Sequence, residues 1–116
     1  MELPVKAYLA VLSVIAVALA SATPSLGDQT GMADMHDQRR EGSKICLSGH
    51  FHTGVGKGRT KRAARAAAIK AWQEFTAFEY GLDWAYFRTA NSKGIGYERS
   101  SDAWEATVEA RPCRRR

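Results

Sequence analysis

The period of the apolar pattern changes along the chain, and each change marks an element. Residues 7–20 form an apolar run of mainly small and branched side chains, shorter than the roughly 20 residues a membrane-crossing helix needs. Residues 23–43 then carry Pro24, Gly27, Asp28, Gly31, Asp34, Asp37, Arg39, Arg40 and Glu41 with hardly any large apolar side chain. That composition predicts a flexible leader. From Lys44 the period becomes two: Ile45, Leu47, Gly49, Phe51, Thr53 and Val55 alternate with Cys46, Ser48, His50, His52 and Gly54, which predicts one half-buried strand.

Gly54, Gly56 and Gly58 read as a turn, and Thr60 reads as the N-cap of a helix. The helix is expected to run to Tyr80, with Ala64, Ala68, Ala71, Trp72, Phe75 and Phe78 as its inward stripe and Gly81 as its stop. Leu82–Ala90 fits either a short helical turn or a packed loop. Two strands follow, one over Ser92–Arg99 with Ile95 and Tyr97 inward, the other over Ala103–Arg111 with Trp104, Ala106, Val108 and Ala110 inward. Ser100-Ser101-Asp102 supplies the turn between them. The aromatic set Trp72, Phe75, Phe78, Trp84, Tyr86 and Trp104 is read as core.

The order strand, helix, strand, strand predicts an α+β domain over residues 44–113: a three-stranded antiparallel sheet with one long helix packed on one face, β-α-β-β. Cys46 and Cys113 fall on the outward faces of the first and last strands. If those strands pair antiparallel, the two sulfurs meet and staple the domain.

The N-terminus places that chemistry. Met1–Lys6 is a short n-region, residues 7–20 the apolar segment, and Ala20-Ser21-Ala22 a small-x-small cleavage pattern, so residues 1–22 read as a signal peptide. The expected location is periplasmic or secreted, with no spanning segment in the mature chain. An even pair of cysteines in an exported chain reads as a disulfide, and the spacing excludes a Cys-x-x-Cys redox motif.

Gly56-Lys57-Gly58 before an alanine-rich helix holding Ala71-Trp72, then Trp84 and a terminal Ala110-Arg111-Pro112-Cys113, resembles small exported bacterial proteins of unknown function over nearly all of the mature chain. The resemblance implies location and fold, not activity. In topology the domain is also similar to dodecins, but no flavin-binding motif is matched and no site carries across.

The chain of 116 residues has a formal net charge of +5, which favours an anionic polymer, a lipid headgroup or an acidic protein over any specific nucleic acid. Lys57, Arg59, Lys61, Arg62 and Arg65 crowd the start of the helix, where the dipole prefers anions. With the basic tail Arg114, Arg115 and Arg116 they form the leading candidate anion site. A second candidate is a copper or zinc site built on His50 and His52, two apart on one strand face, with Met32, Met35 and His36 in the leader as further soft ligands. Nothing points to catalysis or a cofactor. The Gly-x-Gly-x-Gly run has neither Walker A nor dinucleotide spacing. There is no Gly-x-Ser-x-Gly or His-Glu-x-x-His, and Glu105 and Glu109 stand about 13 Å apart by strand rise. The expected function is a non-catalytic binding or structural module for an anionic envelope component or protein partner, with a periplasmic metal-binding accessory protein as the alternative.

Overall fold

The computed structural model describes residues 27–116; the expected signal peptide over 1–22 and leader residues 23–26 lie outside the described residues. Helix α1 spans Lys61–Tyr80. The Thr60 hydroxyl accepts a hydrogen bond from the Ala63 amide at 3.0 Å, the N-cap expected from the sequence, and the helix stops at Gly81, φ 99°. Its buried side chains are Ala64, Ala68, Trp72, Thr76, Ala77 and Tyr80. The inward stripe is thus an every-fourth-residue row. It follows the expected positions as far as Trp72 and then runs through Thr76 and Tyr80, leaving Phe75 half exposed and Phe78 75% exposed. Tyr86 is exposed as well, whereas Trp72 and Trp84 are core and Trp104 lies at its edge.

Three strands, β3 (His52–Gly58), β4 (Asn91–Arg99) and β5 (Trp104–Arg111), form an antiparallel sheet in the order β3-β5-β4. The helix lies over β3 and β5. This is the β-α-β-β layer expected from the sequence, with the first strand paired to the last. A second antiparallel sheet, β1-β2-β6, comprises β1 (Gln38–Glu41), β2 (Lys44–Leu47) and β6 (Cys113–Arg115), so the fold is mixed α+β with two small sheets where one was expected. The single first strand is broken at Ser48–Phe51 into β2 and β3, and the last at Pro112 into β5 and β6. Pro112 has no amide hydrogen to continue a flat ladder. The Leu47 amide still donates to the Pro112 carbonyl at 3.0 Å, which joins the two pairings.

The break also inverts the faces expected for β3. His52, Gly54 and Gly56 are buried against the helix, while Thr53, Val55 and Lys57 are exposed. Gly54–Gly58 is strand rather than turn, and none of these three glycines has a positive φ. They are required by proximity. A Cβ on Gly54 would sit 2.6 Å from the Trp72 nitrogen, one on Gly56 2.5 Å from the Ala67 carbonyl carbon, and one on Gly58 2.6 Å from the Ala64 nitrogen. Glycine on the strand and alanine on the helix let the two backbones touch, and Trp72, Phe87, Ala90, Ala106, Val108 and Ala110 close the core around that contact. Ile95 and Tyr97 pair with Val108 and Ala106 and so face the helix side, as expected, yet they stay partly exposed because β4 is an edge strand beyond the helix's reach.

Cys46 and Cys113 are directly opposed across β2 and β6 and disulfide-bonded. The staple is the one expected, placed in the second sheet. Residues 27–43, read as a flexible leader, carry regular structure: a 3-10 turn at Met32–Met35 and strand β1, joined to β2 through the two-residue turn Gly42-Ser43. Backbone pairing and one buried ion pair, Glu41 with Arg111, hold this polar segment where apolar side chains do not. The segment also closes the end of α1. The Thr30 amide donates to the Tyr80 carbonyl at 3.1 Å, and the Leu82 and Asp83 amides donate to the Gly27 and Asp28 carbonyls at 3.2 and 3.0 Å. Arg114 and Arg115, read as tail, lie in β6. Among the described residues no helix is long and apolar enough to cross a membrane.

Candidate metal centre

The chain has three histidines, and the fold brings all of them to the C-terminal end of α1. The pairing of β1 with β2 extends past Gln38↔Leu47 to a bond from the Ser48 amide to the Asp37 carbonyl at 2.8 Å. The next residues outward are therefore His36 on one side and Gly49-His50 on the other. Gly49, with φ 63°, turns the chain there, and the His36 and His50 rings stand 4.6 Å apart, centroid to centroid. His52 opens β3 beside them, its ring 5.2 Å from His50 and stacked on Tyr80 at 5.0 Å. Glu79 and Tyr80 come from the last turn of α1.

His36, His50 and Glu79 present ligand atoms that all lie within 4.8 Å of one another. Tetrahedral coordination at about 2.0–2.2 Å separates donors by about 3.3 Å, within a small side-chain adjustment of this arrangement. The three are half-buried, open enough to admit an ion. The end of a helix is negative through its terminal carbonyls, so Glu79 and α1 favour a cation together. A second cluster, Glu41 with Cys46 and Cys113, is no ligand set, because both sulfurs are in the disulfide.

His52 sits behind the three, 2% exposed. The Thr76 hydroxyl donates to the Trp72 carbonyl at 2.7 Å, so its oxygen is left to accept from His52 Nδ1 at 2.9 Å. With the Thr76 hydrogen assigned to the Trp72 carbonyl, the neutral ring carries its proton on Nδ1 and leaves the Nε2 lone pair free. That lone pair lies 3.2 Å from Glu79 Oε2 without a well-aligned hydrogen bond. Two acceptors face each other, and a cation between them resolves the conflict. A proton is disfavoured in that role. Burial pushes the His52 imidazole down to about 4, with His50 and His36 acting the same way, and the Glu79 carboxylate only partly opposes them. Burial, then Glu79, raises the Tyr80 hydroxyl well above its usual value, so it faces the cluster as a neutral phenol.

His50 and His52 do converge, but not as neighbours on one outward strand face: His50 lies in the loop and His52 points into the core. His36 comes from the leader as a partner of His50, and Glu79 had no signal in the sequence pattern. Met32 and Met35, the other soft ligands expected from the leader, are exposed.

The basic residues are not gathered into one patch. Lys57 is in β3, with Nζ 3.7 Å from Glu105, and Lys61 Nζ stands 4.8 Å over the Trp104 ring and 5.4 Å over Tyr97. Arg59, Arg62 and Arg65 are exposed near the helix start. Arg114 stacks 5.6 Å from the centre of Trp84, beyond the other end of α1, about 30 Å away by helical rise.

Fold and site define a disulfide-stapled α+β domain with a histidine-carboxylate cluster at a helix end. No protein-family model, curated protein or solved structure matches the chain.

Proposed function

We propose that this protein binds a divalent transition-metal ion, zinc or copper, through His36, His50 and Glu79. The observation that carries the reading is the convergence of their ligand atoms within 4.8 Å of one another at the end of α1, with buried His52 behind them, Nε2 3.2 Å from the Glu79 carboxylate. Imidazole nitrogens with one carboxylate oxygen suit zinc and copper over calcium or magnesium. The N-terminal pattern and the disulfide support an exported, periplasmic accessory role in which the domain holds or passes on the ion. Capture of an anionic envelope component through Lys57, Arg59, Lys61, Arg62 and Arg65 has less support, since Lys57 and Lys61 already have partners and the C-terminal arginines lie at the opposite end of α1.

Calorimetric titration of the metal-free protein with zinc and with copper tests the reading. One ion per chain is expected, with affinity lost in His36→Ala/His50→Ala and weakened at least about 10-fold in Glu79→Gln, the range for losing a metal-site partner. Zinc at 100 times its dissociation constant should stabilise the fold by about 2.7 kcal/mol. Absence of stoichiometric uptake, or uptake that survives the double histidine variant, removes the proposal.

A further inference from the structure

Away from the histidines, two recesses share one arginine. The first, of about 300 Å³, is lined by Asp83, Tyr86, Arg88, Thr89 and Arg115. The second, of about 330 Å³, is lined by Ser43, Lys44, Arg115 and Arg116. The first is the size of a small-ligand pocket.

Backbone register makes the charge arrangement unusual. Lys44 and Arg115 are directly opposed across β2 and β6, and like charges in that position destabilise a sheet. Strand alternation sends Arg114 onto Trp84 and turns Arg115 the other way. Arg88 reaches the same recess from the turn before β4. Among the described residues neither Arg88 nor Arg115 is in an ion pair, and Lys44 Nζ donates to a neutral acceptor, Asn91 Oδ1, at 3.0 Å. Lys93 lies close enough that Lys44, after burial, lowers its affinity for a proton. Asp83 is the one side-chain carboxylate lining either recess. Four cations, Lys44, Arg88, Arg115 and Arg116, outnumber the nearby carboxylates Asp83 and Glu41, the latter opposed to Lys44 across β1 and β2; with the hydroxyls of Tyr86, Thr89 and Ser43 they form a receptor for an oxyanion.

We infer that the paired recesses bind a phosphate-bearing ligand, with Arg88 and Arg115 forking one phosphate, Tyr86 and Thr89 donating to it, and Lys44 and Arg116 meeting a second anionic group. The two recesses joined at Arg115 favour a ligand with adjacent anionic groups over a single small anion. The source is either a free phosphorylated molecule or the headgroup of an anionic lipid, and both present this chemistry. The inference is independent of the metal site, since none of these residues belongs to the histidine cluster.

Titration of the whole protein with inorganic phosphate, with diphosphate and with phosphatidylglycerol-containing vesicles, followed by amide shifts of Thr89 and Arg115, tests it. Saturable binding is expected, diphosphate tighter than phosphate. Arg88→Gln/Arg115→Gln should weaken it by about 10-fold or more, the scale of losing charge-assisted contacts. Asp83→Asn should tighten it by removing the competing carboxylate. Both changes are on exposed side chains, and Arg62→Gln/Arg65→Gln serves as a control of equal charge loss. Binding to vesicles but not to diphosphate assigns the headgroup source, and binding to free diphosphate assigns the soluble one. No saturable binding to any probe, or binding lost equally in the Arg62→Gln/Arg65→Gln control, overturns the inference.

Discussion

Arg111 is the side chain on which the two sheets depend. It is buried, donates to the Leu47 carbonyl at 3.1 Å and to Ser92 Oγ at 3.3 Å, and pairs with Glu41. Its removal takes the buried donor from the Leu47 carbonyl and leaves Glu41 with Arg39 and Asn91 alone, so Arg111→Met should lower stability by about 1–3 kcal/mol, the scale of an unsatisfied buried polar group, in denaturant unfolding at pH 7. Adding Glu41→Gln should recover part of the loss. The pair also has a pH signature. The Arg111 guanidinium, with Asn91 and Arg39 and against burial, lowers the Glu41 carboxyl from 4.5 to about 2. The folded state therefore binds this proton more weakly than the unfolded chain. Its stabilisation is complete above about pH 4.5 and fades toward pH 2, about 3 kcal/mol in all. His52 acts in a higher window: held neutral to about 4 against 6.5 when unfolded, it makes the fold lose stability as pH drops from about 6.5 to 4. Arg111→Met should flatten the lower limb and leave the upper one in place. A variant that keeps the lower limb would show that Glu41 draws its low value from elsewhere.

At the scale of elements, identical residues have opposite roles on the two edges of the larger sheet. Gly56 faces the helix with no room for a Cβ, whereas Gly94 and Gly96 on β4 have nothing within 4 Å of where one would stand. Gly56→Ala should force α1 off β3 and cost about 1–3 kcal/mol or more, the range for overpacking. Gly96→Ala, at an ordinary backbone conformation, should be neutral or stabilise by up to about 1 kcal/mol through the unfolded chain. Thermal melts of the two variants decide this, and equal effects would refute the close-contact account of β3. The same contact explains what the sequence could and could not convey. The helix body and the inward residues Ala106, Val108 and Ala110 were legible because side-chain periodicity reports them, and Thr60 and Gly81 because caps have their own residue preferences. The inward face of β3 was not, because a face made of glycine is buried through the absence of side chains, and the alternation of Phe51, Thr53 and Val55 pointed the wrong way. Strand β1 was hidden by its polarity, since the buried partner of Glu41 is Arg111, 70 positions on. Of the metal cluster, His50 and His52 were visible as a pair. Their convergence with His36 and Glu79 depends on the β1–β2 pairing and on the break before β3, neither of which leaves a local pattern.

For the whole molecule, the disulfide and the histidine cluster are mechanically linked. The bridge joins β2 to β6 across a separation of 67 residues, and closure of a loop that long contributes about 4 kcal/mol in the chain-entropy model. Strand β2 in turn holds β1 on its other edge, and those two strands carry His50 and His36 at their ends. The helix that supplies Glu79 is fixed separately, on the larger sheet. Opening the bridge therefore loosens the donors from the second sheet while Glu79 and His52 stay in place. Zinc should bind Cys46→Ala/Cys113→Ala more weakly than the disulfide-bonded protein. Linkage requires the reverse effect by the same factor, so saturating zinc should make the disulfide harder to reduce at equilibrium. Comparing the zinc dissociation constants of the two forms with the shift in the thiol-disulfide equilibrium tests both sides at once. Equal zinc affinities would mean that the Thr30 hydrogen bonds to the end of α1, rather than the bridge, hold His36 in place.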